Sequence, residues 1–439
     1  MHHDHHHPTR EQIYAATDRP IPRTAGVVAL VLTVIGVAVF LWGVWQGESR
    51  AWQALHFNWL FFTTISQAAV VFVAVQRITT ARWSRPVVRF LEGYVAFLPV
   101  AFVLLVLIMA GRGHIFPWTH EAPPAHEKAL WFDATAFVAR NLILFAIISA
   151  LSLWFVYSSL RLDVAFAPAR TGGWARGLRE RMRRGFGDER REIFRTHSLQ
   201  GTLAVVLALC FGFFYSVFAW DLSMGLDMHF QSTLYSWWFF MGGWLGALMS
   251  WTLLTIWWRR HLDVYDLITE HHVHDLGKLC FAFTAFWGYL TFGQYLVIWY
   301  GNLGEETHWM RLRLISPWLP VSLAVTFLVF VLPFFGLLSR AAKVFLPTMA
   351  TFALCSLVGL WLLRYTEVYP SLHPAAAALP LGTYEVGIFL GYVGLWALCY
   401  IAFMNAFPRM RATLMTSPHR DDVQVPYDPE TTRPLPAHE

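Results

Sequence analysis

Ten apolar runs follow one another along this chain, at residues 24–45, 56–76, 88–110, 130–160, 199–222, 232–258, 276–301, 316–337, 343–363 and 383–404. Each is long enough to cross the hydrocarbon of a bilayer as a helix. A backbone in hydrocarbon must satisfy its own hydrogen bonds, and a helix does so within each run. The expected fold is all-α and integral to a membrane, with ten transmembrane helices. Composition agrees, since 14% of the residues are charged where a soluble domain carries about 25%. The 22 tryptophans gather at run ends, among them Trp45, Trp118, Trp257 and Trp299, as interfacial aromatic belts do.

Basic residues set the expected topology. With those at run ends counted in the adjoining loops, 25 of the 33 Lys and Arg lie on the side of the N-terminus and 6 on the other. Both termini are therefore expected in the cytoplasm. Residues 1–23 and 405–439 read as cytoplasmic tails around a membrane domain at 24–404. The largest cytoplasmic loop, 161–197, holds ten arginines, a pattern suited to anionic lipid. Because the basic residues sit in particular loops, the net charge of +5 does not point to nucleic acid. Residues 417–439 are polar and proline-rich, as in a disordered tail or one draped over a partner. The histidine-rich residues 1–7 are assigned no function.

Redox ligands are missing from the pattern. Cys210, Cys280, Cys355 and Cys399 all lie in apolar runs and form no C-x-x-C pair, so they read as buried small hydrophobes. The 19 histidines cluster at run ends, in loops and in tails, without the facing pair that a b-type haem needs. No cofactor is expected on this chain's own ligands. Electron carriers would come from partner chains or from a diffusible quinone.

Polar residues inside the runs are the candidate functional groups. Run 7 opens with His274, Asp275 and Lys278 and closes on Asn302, Glu305 and Glu306. At 100° per residue, Thr284, Thr291, Tyr295 and Asn302 share one face, while His274, Lys278 and Tyr289 share a neighbouring one. Such a helix suits a proton path entered from the cytoplasm, although Thr and Tyr also glue membrane helices together. Run 2 carries His56, Asn58, Thr63 and Gln67, and run 4 carries Asp133, Arg140 and Asn141. His56, Thr63 and Gln67 form a stripe that starts outside and stops near mid-membrane. Asp133 and Arg140 do likewise. This is the shape of an outer proton inlet or of a shallow quinone pocket. A charge such as Arg140 near a helix centre costs about 2.5–3.5 kcal/mol on insertion scales, so it needs an interior partner. Asp133, Glu385 and Glu92 are the candidates.

Runs 2–5 and 6–9 form blocks of identical orientation, at 56–222 and 232–363, opening on His56-Phe57 and on His229-Phe230. This layout joins several local motifs. They are His274-Asp275-Leu276-Gly277-Lys278, Gln294-Tyr295-Leu296-Val297-Ile298-Trp299-Tyr300-Gly301-Asn302 and Glu305-Glu306-Thr307 in and after run 7. Asn58-Trp59-Leu60-Phe61-Phe62, Gln67-Ala68-Ala69 and Arg140-Asn141-Leu142 add to them. Together they resemble the polysulfide-reductase (NrfD/PsrC) family of ten-span membrane subunits. The likeness extends over 24–404. It is strongest to the second such subunit of bacterial alternative complex III, a quinol:cytochrome c oxidoreductase. Gly304 departs from the family's Asn-x-Pro-Glu-Glu turn.

The resemblance implies two four-helix bundles with two peripheral helices, in a bacterial inner membrane. It implies partners as well: a paralogous NrfD-like membrane subunit, a periplasmic iron–sulfur protein and multihaem c-type cytochromes, which hold the haem c and the clusters. Menaquinol oxidation then falls to the first paralogue, and scaffolding with a proton path to the second. The alternatives are a purely structural membrane scaffold and a secondary transporter. A transporter favours helices unwound near mid-membrane, and here Pro99 and Pro333 would kink runs 3 and 8 without a paired break in the two blocks.

Thiol labelling tests the topology. In a cysteine-free variant, single cysteines at Ser49, Gly113 and Gly304 should react with an impermeant reagent from the periplasm, and those at Gly187 and Ser417 should not. Labelling at Gly187 in intact cells would invert the arrangement.

Overall fold

The computed structural model describes residues 8–121, 126–168 and 172–420. The histidine-rich start and most of the proline-rich tail, from residue 421 on, lie outside the described residues. Ten helices are long and apolar enough to cross a membrane, and no strand occurs among the described residues. In chain order they are α1 (Arg23–Trp45), α2 (Ser49–Ile78), α3 (Val88–Ala110), α4 (Ala134–Phe166) and α5 (Glu189–Leu222). After them come α6 (Leu234–Leu262), α7 (Glu270–Gly301), α8 (Leu319–Gly336), α9 (Leu346–Leu372) and α10 (Thr383–Ala406).

Hydropathy finds the apolar part of each helix, but capping decides where it starts. α5 begins at Glu189 rather than near 199, because Asp188 accepts the Arg191 N–H and acidic side chains fill the first turn. α7 starts at Glu270 behind a Thr269–His272 capping pair. Proline changes helix type without breaking the helix. A 3₁₀ stretch at Gly93–Phe97 precedes Pro99, and a π stretch at Thr326–Val331 precedes Pro333.

Packing is organised by α2. His56, Asn58, Thr63, Thr64, Ser66 and Gln67 fall around its whole circumference, so no face can turn to lipid without stranding a polar group in hydrocarbon. Accordingly 94% of its apolar window is buried, against 17% for α1, whose only polar group in mid-helix is Thr33. Thr33 satisfies itself on the Ala29 carbonyl. α2 packs against α1, α3, α4, α5, α6, α9 and α10. Small residues let backbones approach it and each other. A Cβ added at Gly243 of α6 would lie 2.2 Å from the Thr64 side chain, and one at Gly36 of α1 would lie 2.2 Å from the Gly391 Cα of α10.

With ten long helices in succession, the two ends of the described chain lie at one end of the molecule. They are tied there: the Tyr14 hydroxyl donates to the Asp163 carbonyl, and Arg409 donates to the Thr17 carbonyl. The arginine-rich loop lies at the same end and is partly internal. Arg179 donates to the Ala406 carbonyl, and Arg183 donates to the Val164 and Ala167 carbonyls. These two arginines cap helix ends, where sequence alone suggests a lipid contact for the whole loop.

Candidate functional site

The end of the molecule away from the termini holds a network of buried charge whose pivot is Asp221-Leu222-Ser223, at the end of α5. Asp221 receives a two-pronged contact from Arg140, with Nε and Nη2 both at 2.8 Å, and a third bond from Asn141 at 2.7 Å. Next, the Leu222 carbonyl accepts from His56 Nε2 at 2.7 Å. Ser223 then meets the Tyr235 hydroxyl at 2.6 Å and reaches Glu367, which Arg364 holds at 2.6 Å. Three successive residues thus tie α5 to α4, to α2, and to α6 and α9. Nearby, Arg50 chelates Glu385, which also accepts from the Tyr369 hydroxyl. His373, just past α9, donates to Gln53 at 2.8 Å, and burial with the Arg50 charge lowers its pKa from the ordinary histidine value.

These contacts correct the expected partner of Arg140. Asp133 caps α4 by accepting the Ala136 N–H at 2.8 Å, Glu385 belongs to Arg50, and Glu92 belongs to Arg89 and Arg411. Nor is Arg140 at the middle of its helix: it sits two turns in and is stacked 4.2 Å from the Trp131 ring. In the sequence Asp221 is indistinguishable from an interfacial charge, because it is a carboxylate at a run end. The same holds for Arg364 and Glu367, just past the end of run 9. The paired block openings are not equivalent either, since His56 is fully buried and His229 is exposed.

Three of the five residues expected around an outer inlet or quinone pocket are locked among protein groups. His56, Asn58 and Gln67 are fully buried. Asn58 donates to the Ala54 carbonyl and accepts from Trp361, so its amide is satisfied. Gln67 donates to Ser152 at 2.7 Å. Along this seam between α2, α4 and α5, several buried polar atoms have no partner among the described residues: His56 Nδ1, Thr63 Oγ1, Gln67 Oε1, Asn141 Oδ1 and Ser149 Oγ. Further toward the termini on α4, Ser159 contacts Arg89, which bridges Glu92 and Asp163 in a buried quartet closed by Arg411.

The α7 residues divide into two sets. Lys278 pairs with Asp275 at 2.6 Å on the surface, with side chains 56% and 31% exposed, beside the part-exposed His274. Tyr289 is 68% exposed, so the Lys278 face does not continue inward through it. Asn302 is a left-handed helix cap, and Glu305 and Glu306 occupy the first turn of the short helix Gly304–Leu314. Inward, Thr284 is buried with its hydroxyl unpartnered among the described residues, and Thr291 accepts from Trp238 at 2.9 Å.

Thr291 and Tyr295 line a cavity of about 350 Å³ between α6, α7, α8 and α9. Its walls are aromatic, with Trp238, Trp287, Trp309 and Phe330, and Phe292 and Tyr295 at its rim are 61% and 41% exposed. Two buried donors on its lining have no partner among the described residues, Trp287 Nε1 and Arg313 Nε. Arg313 is pinned to the Trp309 and Glu367 carbonyls and stacks 3.5 Å from the Trp309 ring. Burial lowers its pKa to about 10, which leaves it cationic at neutral pH. The π stretch of α8 contributes Thr326 and Phe330 to the opposite wall.

Comparison of the sequence with protein-family models and with curated proteins returns no match.

Removing Arg140 tests the network. Arg140→Leu strands Asp221 in the interior and should lower unfolding free energy by about 3–5 kcal/mol. Arg140→Leu combined with Asp221→Leu should recover most of that loss in a detergent unfolding titration.

Proposed function

We propose that the chain is a membrane subunit of a quinol:acceptor oxidoreductase in a bacterial cytoplasmic membrane, with its redox centres held by partner chains. A paralogous membrane subunit, a periplasmic iron–sulfur protein and multihaem c-type cytochromes are the partners this reading assigns, with both termini cytoplasmic. The order of helix contacts, α2 to α5 in one ring and α6 to α9 in another, supports reading the membrane part as two four-helix bundles flanked by α1 and α10.

The aromatic cavity of the second ring carries this reading. A quinone is a flat apolar ring with two carbonyl acceptors and a lipid-soluble tail. The cavity offers aromatic walls, two N–H donors without a partner among the described residues on Trp287 and Arg313, and a rim at the exposed surface. Its volume of about 350 Å³ falls within the roughly 300–1,000 Å³ range of small-molecule pockets. The quinone contact thereby moves from His56, Asn58, Gln67, Asp133 and Arg140 to the α7 face that bears Thr291 and Tyr295. The secondary-transporter reading loses ground, because α3 and α8 change helix type without unwinding. Quenching of tryptophan fluorescence by a menaquinone analogue tests the proposal. Trp287→Phe and Arg313→Lys should each weaken binding about tenfold, the loss of one hydrogen bond to a buried acceptor. Unchanged affinity in both variants would leave the pure scaffold as the better reading.

The seam of unpartnered polar atoms in the first ring favours proton conduction as a second role. Water bridging His56, Thr63, Gln67 and Ser149 would link the Arg140–Asp221 end to the Arg89–Glu92–Asp163 end. Gln67→Leu should lower the proton-to-electron ratio of the assembled complex in proteoliposomes while quinol oxidation persists. Asp275→Asn should leave both unchanged, since that residue faces out. A reduced ratio only in Asp275→Asn would return the path to α7.

A further inference from the structure

A separate cavity of about 80 Å³ lies at the terminus end, between the end of α2, the start of α5, the 79–87 loop and the tail after α10. Its described lining includes Arg77 and Arg411, along with Arg85 and Arg420, which have further interactions of their own, and contains no carboxylate. Valine, leucine and isoleucine side chains from α2, α3, α4 and α5 line the same space, so the charges border an apolar wall.

The hydrogen-bond inventory of this cavity is one-sided. Gln76 Nε2, Arg77 Nε, Gln200 Nε2 and Arg411 Nε are all buried donors without a partner among the described residues. Gln76 and Gln200 are 7% and 4% exposed, so neither relies on open solvent. Both arginines are already held by one terminal nitrogen, Arg77 Nη2 on the His197 carbonyl at 2.7 Å and Arg411 Nη2 on Glu92. Their positions are therefore fixed before any ligand arrives. Charge is one-sided too. Arg89 and Arg411 are balanced by Glu92 and Asp163, whereas the only partner of Arg77 among the described residues is a carbonyl.

Buried donors that lack acceptors are costly, and native structures rarely leave several together. A few waters fit the volume, at about 30 Å³ each, but water brings no negative charge. A tetrahedral oxyanion supplies both the charge and several acceptor oxygens, and arginine suits it through directed N–H groups. We propose that this cavity binds a phosphate group, held by Arg77 and Arg411 with the Gln200 amide. The site lies beside the last turn of α2, where Ile78 is exposed, so the group can belong to an anionic lipid head or to a free phosphate.

The test uses the full chain purified in a maltoside detergent. Its Tm is followed against inorganic phosphate at constant ionic strength, and in nanodiscs of phosphatidylglycerol against phosphatidylcholine, because a ligand specific to the folded state raises Tm. A rise with inorganic phosphate identifies a free-phosphate site. A rise confined to phosphatidylglycerol identifies a lipid-head site. Either response should weaken at least tenfold in apparent affinity in Arg77→Gln and Gln200→Leu. Gln200→Glu places a carboxylate in the cavity, so it should raise Tm without added ligand and abolish the response. This variant decides the matter if Arg77→Gln fails to fold. The proposal falls if neither additive moves the wild-type Tm, or if Gln200→Glu responds as the wild type does.

Discussion

Hydrocarbon cannot solvate the polar groups that ring α2, and the rest of the molecule is arranged around that fact. A helix with hydroxyls, amides and an imidazole on every side is stable in a bilayer only when protein replaces lipid all round it. Seven helices do this for α2, with glycine at the tightest crossing on α6. α1 shows the converse. Its single mid-helix hydroxyl bonds to its own backbone, so little beyond the glycine contact with α10 draws it inward, and most of its surface is left for lipid.

Paired charge finishes what α2 begins. At one end Asp221-Leu222-Ser223 bonds to α2, α4, α6 and α9, and at the other Arg89, Glu92, Asp163 and Arg411 close a buried quartet. Each pair is costly to desolvate and still costlier to break, so these groups specify one arrangement of helices. Two cavities with donors that lack a partner among the described residues adjoin these locked centres, through Arg313 on the Glu367 carbonyl and through Arg411 of the quartet. One is the aromatic pocket beside the exposed rim of α7, and the other is the arginine-lined cavity at the terminus end.

The candidate site was partly legible in the sequence. His56, Gln67 and Arg140 stand out in the sequence as polar groups inside apolar runs, and each is hydrogen-bonded to a group on another helix. A helical wheel puts Lys278 and Tyr289 on a common face but does not say which face meets protein. Here that face is exposed. Asp221 and Glu367 near run ends, and Arg411 in the tail, carry no sign of burial in the sequence until other helices cover them.

Ten helices, their order and their polar faces follow from the sequence alone, since span length and backbone self-satisfaction are local properties of each run. Helix starts do not follow from hydropathy, since α5 begins behind its Asp188 cap ten residues before the apolar run. Only the tertiary structure decides which carboxylate meets Arg140, which polar atoms remain unpartnered and where cavities open. Those outcomes depend on side chains far apart in the chain, Arg140 and Asp221 or Gln76 and Arg411, meeting at distances that no local pattern encodes.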